Sequence, residues 1–187
     1  MLWCEQRAAV RLLRLAVVLA AAGLVAGCFQ PLYGRGPTPE SESIHDKLGE
    51  IDIPTIAARQ GTSVSRLAVG MRNALQYDFN GGAGANAPTH RLVVVLIPSE
   101  TSVAIDITSG RPTAEVDGIR ANYQLTEIAT GRIVVKDSTV ARVDVDAPGS
   151  EQRFALQRAR RDAEDRAIQM AAEAIRNRLA SYFVAGT

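Results

Sequence analysis

The sequence predicts an α+β domain with elements in the order β-α-β-β-β-α, and three observations carry that prediction. Residues 114–126 and 133–145 alternate apolar and polar side chains with a period of two, and with the apolar run at 91–107 they form three long strands separated by short turns. Two further stretches, one before and one after those strands, repeat apolar residues at spacings of three and four, the signature of helices with one buried stripe. Upstream of Leu48 neither period is present: a basic segment, a greasy run and a Pro/Gly-rich stretch follow one another.

Residues 1–27 have the layout of an export signal. Arg7, Arg11 and Arg14, with Glu5 as the only acid, precede an apolar run from Leu15 to Gly27. Its 13 residues fall short of the about 20 that a hydrocarbon core requires. The run closes on Leu24-Val25-Ala26-Gly27-Cys28, where small residues lead directly into a cysteine and a proline-rich stretch cannot extend the helix. This pattern resembles a bacterial lipobox. Diacylglycerol alkylates a thiol in that setting, and cleavage before Cys28 leaves an acylated N-terminus. A disulfide lacks a partner, because Cys4 leaves with the signal. The expected modification is therefore diacylglycerol plus an acyl chain on Cys28, attaching the chain to a membrane. More than one acyl chain makes such an anchor stable, at about 0.8 kcal/mol per buried methylene. Phe29 follows the cysteine, where an Asp would resemble an inner-membrane retention signal, so the outer membrane is the expected destination, with the domain facing the periplasm.

Removing residues 1–27 reduces 21 basic and 20 acidic side chains to 18 and 19, a net charge of −1. That balance speaks against non-specific nucleic-acid binding. Apart from Cys28 no cysteine remains, which excludes a CxxC redox site, a cysteine nucleophile and a thiolate metal site. Residues 28–47 hold Pro31, Pro37 and Pro39 with Gly34 and Gly36 and read as a tether, broken only by an apolar knot of Phe29, Leu32 and Tyr33. Residues 48–187 then make one domain of ordinary size.

Within that domain Leu48 to Ile56 alternates before Pro54 and reads as a short strand near a sheet edge. Thr62 or Ser63 caps a helix running to about Asp78, with Val64, Leu67, Ala68, Met71 and Leu75 on one stripe and Asn80-Gly81-Gly82 ending it. The glycine-rich residues 81–88 form a connector. They lack the preceding strand, the Lys-Ser/Thr and the following helix of a phosphate loop. Residues 92–97 are continuously apolar and read as a strand buried on both faces, bent or split at Pro98 and resuming through Ile107. Ser109-Gly110-Arg111-Pro112 makes a turn. Ile119, Ala121, Tyr123 and Leu125 then share one face of a strand, with Arg120, Asn122, Gln124 and Thr126 on the other. Beyond the turn at Ala129-Thr130-Gly131, Ile133, Val135, Thr139, Ala141, Val143 and Val145 line the inner face of the next strand. Short turns joining long strands predict an antiparallel meander. A long helix runs from about Glu151 to Phe183, its alanines allowing close approach, and Arg158/Asp162/Arg166 and Arg160/Glu164 read as intrahelical pairs on a solvated face.

Catalytic chemistry needs a nucleophile with its base and orienting group, or convergent metal ligands. His45 and His90 have no ligand-spaced partner, no GxSxG occurs, and the acid pairs Asp144/Asp146 and Glu164/Asp165 do not demand split pKa values. The residues therefore point to a binding or assembly protein, with no enzyme activity, catalytic residue, metal or dissociable cofactor expected.

Cys28-Phe29-Gln30-Pro31-Leu32-Tyr33-Gly34, Ser65-Arg66-Leu67-Ala68-Val69-Gly70-Met71-Arg72-Asn73-Ala74-Leu75 and Asp162-Ala163-Glu164-Asp165-Arg166-Ala167, in this element order, resemble the LPS-assembly lipoprotein family LptE. Relatives often place a glycine between the cysteine and the phenylalanine, and this chain does not. The resemblance implies a two-layer sandwich, two helices on one face of a four-stranded, mainly antiparallel sheet. It also implies an outer-membrane lipoprotein that plugs and helps assemble the LptD β-barrel, through which lipopolysaccharide reaches the outer leaflet. Basic residues near a strand turn would contact lipopolysaccharide, and the positional matches are Arg111, with Arg132 at the following turn. The alternative is a free-standing periplasmic carrier of lipid or glycolipid, which would require an apolar cavity that a small Ala/Val core does not favour.

Overall fold

The computed structural model describes residues 43–85, 87–105, 107, 112–146 and 153–185. They form three helices and a four-stranded sheet: α1 (Ile44–Gly49), β1 (Ile51–Asp52), α2 (Ser63–Asn80), β2 (His90–Ile105), β3 (Pro112–Glu127), β4 (Ile133–Asp146) and α3 (Arg153–Ala185). The sheet order follows the chain order, β1-β2-β3-β4. β1 lies parallel to β2, and β2, β3 and β4 form the expected antiparallel meander.

The N-terminal end of the domain differs from the sequence reading. Leu48 and Gly49 close a short helix, and only Ile51 and Asp52 pair with β2, at His90 and Arg91. The cause is a capping box. The Ser43 hydroxyl accepts from the Asp46 backbone N–H at 3.2 Å while the Ser43 N–H donates back to the Asp46 carboxylate at 3.1 Å. Those reciprocal bonds satisfy donors that a lone six-residue helix would leave unpaired. Leu48 is thereby turned into the core beside Ile51 and Ile53.

Helix α2 begins after Thr62 and ends where Gly81 takes the left-handed conformation at φ 65°, its N–H donating to the Tyr77 carbonyl at 2.9 Å. Leu67, Met71, Leu75 and Phe79 are all buried to 0% exposure. Ala163, Ala167, Ala171, Ala172 and Ala180 of α3 are equally dry, so this helix sits close to its neighbours with side chains that add little thickness. At the α2–α3 crossing a Cβ on Gly70 would lie 3.1 Å from Ile168 Cδ1, so a larger residue there requires that side chain to give by a few tenths of an ångström.

Strand β2 is one continuous element. Its pairing with β3 runs without a break from His90 to Ser102, through Pro98 opposite Ile119. Among the described residues β2 beyond Arg91 has a sheet neighbour on one side only, the setting in which a residue lacking an N–H is tolerated. The expectation that residues 92–97 are buried on both faces is overturned. Leu92, Val94 and Leu96 are buried under the helices, while Val93, Val95 and Ile97 are 39%, 52% and 48% exposed. Both long helices lie on one face of the sheet, and among the described residues no element covers the other. An unbroken apolar run thus serves an ordinary one-sided strand whose outer residues are also hydrophobic.

Candidate functional site

The open face of the sheet is a ladder of cross-strand rows fixed by the register. Val93, Gln124 and Lys136 form one row, Val95, Asn122 and Ser138 the next, and Ile97, Arg120 and Val140 a third. An apolar strip on β2 therefore lies beside a hydrogen-bonding strip on β3 and a mixed, partly charged strip on β4. A concavity of ≈ 520 Å³ opens on this face, lined by Val93, Val95, Asn122, Gln124, Lys136 and Ser138 among others. Facing rows of amide, hydroxyl and ammonium groups can exchange hydrogen bonds with another polar surface, while the valines exclude water at one margin.

The β3–β4 turn closes this face at one end. Gly131 adopts φ 68°, its N–H reaches the Glu127 carbonyl at 2.9 Å, and the Glu127 carboxylate accepts from the Thr130 hydroxyl at 2.5 Å. Arg132 follows, 73% exposed at its side chain and 3.9 Å from Glu127, a loose pair that leaves the guanidinium available to other partners. Cys28 and Arg111 lie outside the described residues. Pro112, the residue after Arg111, starts β3 and Glu127 ends it, and this 16-residue strand spans roughly 50 Å at about 3.3 Å per residue.

On the covered face the charges of α3 do more than solvate a helix. Arg166 and Asp162 pair at 2.9 Å along the helix, as the spacing predicts. Arg160 and Glu164, expected to pair with each other, do not. Arg160 Nη2 donates to Glu115 of β3 at 2.6 Å and to Glu100 of β2 at 2.8 Å, and its Nε donates to Glu115 at 3.1 Å. Glu164 instead pairs with Arg66 of α2. Cross-element partners win because Glu115 is only 4% exposed and a buried carboxylate requires a cation. The signal was present in the sequence: the alternation that turns Ile119 and Ala121 inward, carried back two and four residues, also turns Asp117 and Glu115 inward.

Asp117, an acid that the sequence reading did not single out, is 8% exposed. Burial, reinforced by Glu100 and Glu115 and partly offset by Arg160, raises its pKa above the ordinary 3.8. A raised carboxylate favours the folded state when protonated, and that contribution is lost as pH rises through the folded-state value. Asp117→Asn is therefore expected to melt at a higher temperature than the parent chain at about pH 7, with the gap closing as pH falls towards 3.8. Thermal melts across that range check it, and a gap that widens in acid would contradict it.

The histidines take modest structural roles. His45 is exposed on α1, and His90 is half-buried, its Nδ1 2.8 Å from the Thr89 hydroxyl and its ring edge-on to Phe183 at 5.4 Å. Burial lowers the His90 pKa from 6.5 against the opposing pull of Glu127 and Glu50. Among the described residues no group of three or more His, Cys, Asp or Glu could hold a metal ion, and no helix is long and apolar enough to cross a membrane.

Comparison with known proteins bears on this arrangement. The family model described as LptE, lipopolysaccharide-assembly, matches residues 48–179. No curated protein matches significantly. Among solved structures, a lipoprotein from Caulobacter crescentus is similar at 17% identity, covering 76% of this chain and 96% of its own, with a TM-score of 0.58. Lipoprotein B from Nitrosomonas europaea is similar at 11% identity over 82% of this chain and 94% of its own, TM-score 0.54. Rare lipoprotein B from Shewanella oneidensis is similar at 14% identity over 72% and 96%, TM-score 0.50. At these identities the structures speak for a shared fold.

Proposed function

This chain belongs to the LptE lipopolysaccharide-assembly family, and from that membership we propose that it is an outer-membrane lipoprotein, anchored through Cys28, that plugs and helps assemble an LptD-type β-barrel for insertion of lipopolysaccharide into the outer leaflet. The observation that carries the reading is the one-sided sheet. Both long helices occupy one face, and the other presents Asn122, Gln124, Lys136, Ser138 and Arg120 in register beside three exposed aliphatics. The lumen of a large transmembrane barrel is polar, and a rigid ladder of donors and acceptors is complementary to it.

The protein acts in this reading by occupying space and organising a partner, without turnover. Arg132, loosely held at the end of the open face, is the described residue best placed to meet a phosphate of lipopolysaccharide, since a guanidinium fork matches phosphate oxygens. Arg111, outside the described residues, is the second candidate for that contact. A free-standing glycolipid carrier would need an enclosed apolar chamber, whereas the space beneath the helices is filled by Leu67, Met71, Leu75, Ile175 and Leu179 at 0% exposure.

Depletion of the protein tests the reading. The amount of correctly folded barrel in the outer membrane is expected to fall with it, and unchanged barrel levels and unchanged surface lipopolysaccharide would count against the plug.

A further inference from the structure

The sheet is electrically sided. Alternation turns Glu115 and Asp117 of β3 towards the helices, together with Glu100 of β2, which pairs with Asp117 in the ladder, and Arg160 of α3 meets Glu100 and Glu115 there. Asp137 of β4, in register with the buried Tyr123, lies on the same side and pairs with Arg178 at 3.4 Å. The cations of β3 and β4 fall on the opposite, open face. Its four rows from Val93–Gln124–Lys136 to Ser99–Gly118–Arg142 carry Lys136, Arg120 and Arg142 and no acid, and Asp144 follows one row beyond. All three cations are exposed, and among the described residues none of them has an ion-pair partner. A surface that only has to stay soluble intersperses both signs. In a chain whose net charge without residues 1–27 is −1, this positive face comes from placement and not from composition.

We propose that the open face docks against an acidic protein surface whose Asp and Glu side chains stand opposite Arg142, Arg120 and Lys136. The charge of that surface follows from this face alone, and its identity as the inner wall of a barrel rests on the function proposed above. Spacing selects the occupant. Arg142 and Lys136 lie six residues apart on β4, about 20 Å at 3.3 Å per residue, with Arg120 in the row of Val140 between them. Cations so dispersed do not converge on one phosphate, whereas carboxylates carried along a strand or sheet meet them one by one. Asn122, Gln124 and Ser138 fill the intervening positions with groups that both donate and accept, and Val93, Val95 and Ile97 supply an apolar margin.

Two readouts test the assignment. In the first, a peptide of about ten residues alternating Glu and Thr is titrated into the isotope-labelled full chain at low salt, where exposed charges are least screened. The backbone amides of Arg120, Asn122, Lys136 and Arg142 are expected to shift saturably, with a Kd on the order of 1 mM, while the matching Lys/Thr peptide leaves them unmoved and inorganic phosphate binds more weakly. In the second, the lipidated chain is captured from solubilised outer membranes and the barrel in the eluate is quantified. Arg120→Glu, Lys136→Glu and Arg142→Glu together should lower barrel recovery by about tenfold or more, because they set like charges opposite each other. The corresponding triple Gln variant should fall between that variant and the parent. Arg158→Glu with Arg161→Glu, exposed on α3, should recover as much barrel as the parent. A chain that binds the acidic peptide on this face yet recovers no barrel keeps the acidic-partner assignment and loses the barrel reading. Barrel recovery that ignores the three reversals keeps the barrel reading and overturns the assignment. Equal shifts with the Lys/Thr peptide, or phosphate binding as tightly as the acidic peptide, would also overturn it, the latter in favour of a headgroup site.

Discussion

Replacing Cys28 with serine is expected to abolish acylation of this chain: labelled palmitate should enter the parent protein and be absent from the variant. The physical stake is the whole of the membrane affinity. A single acyl chain binds a bilayer only marginally, while two or more, at about 0.8 kcal/mol per buried methylene, hold a protein there stably. The apolar run at Leu15–Gly27 has 13 residues against the about 20 needed for a span, and no described helix is long and apolar enough to cross a membrane. Because serine provides no thiol for alkylation and position 28 lies upstream of the residues 43–185 that carry the described core, the variant domain should melt as the parent does. Label on the serine variant, or none on the parent, would show that position 28 is not the anchor.

The second large effect lies in the core. Phe79→Ala is expected to destabilise the domain by about 3–5 kcal/mol, the cost of deleting a large buried side chain and leaving a cavity. Phe79 is fully buried at the last turn of α2, where the backbone of α1 also approaches: a Cβ on Gly49 would lie 3.9 Å from the Phe79 carbonyl oxygen. Against a typical stability of about 5–15 kcal/mol, a loss of that size lowers the melting temperature on the order of 10 °C. Tyr77, two residues earlier on the same helix and 73% exposed, supplies the contrast. Tyr77→Ala should stay within about 0.5 kcal/mol of the parent. Denaturant or thermal unfolding of both variants checks the pair, and equal losses would mean that α2 does not bury the face described.

Much of the fold is legible from periodicity alone, and the two failures have opposite causes. α2 and its stop at Gly81 follow from a single apolar stripe and a left-handed glycine, and β3 and β4 follow from strict alternation. α1 was hidden because its start is a polar run. The decisive feature, Ser43 three residues before Asp46, is a side-chain hydrogen-bond pattern that hydrophobic period does not see. β2 misled in the opposite way. Val93, Val95 and Ile97 resemble core residues, yet a strand's outer face can be apolar wherever a partner or a neighbouring row lies over it. The site was less legible than the fold. Asn122, Gln124 and Lys136 were readable as a wet strand face. The link between Arg160 and Glu115, by contrast, spans 45 positions in the chain and follows only once β3 and α3 are packed together. An i,i+4 pattern on a helix offers Arg160 a surface partner, but a 4%-exposed glutamate on the adjacent sheet is the stronger claim on it.

A lipid-anchored domain that offers one hydrophilic sheet face to the inside of a larger protein should not be found alone in its membrane. The most direct measurement is affinity capture of the lipidated chain from solubilised outer membranes in mild detergent, followed by identification and quantitation of what elutes with it. An LptD-type β-barrel recovered in equimolar amount is the predicted result. A chain that elutes by itself from intact outer membranes, with the barrel left entirely in the unbound fraction, would contradict it.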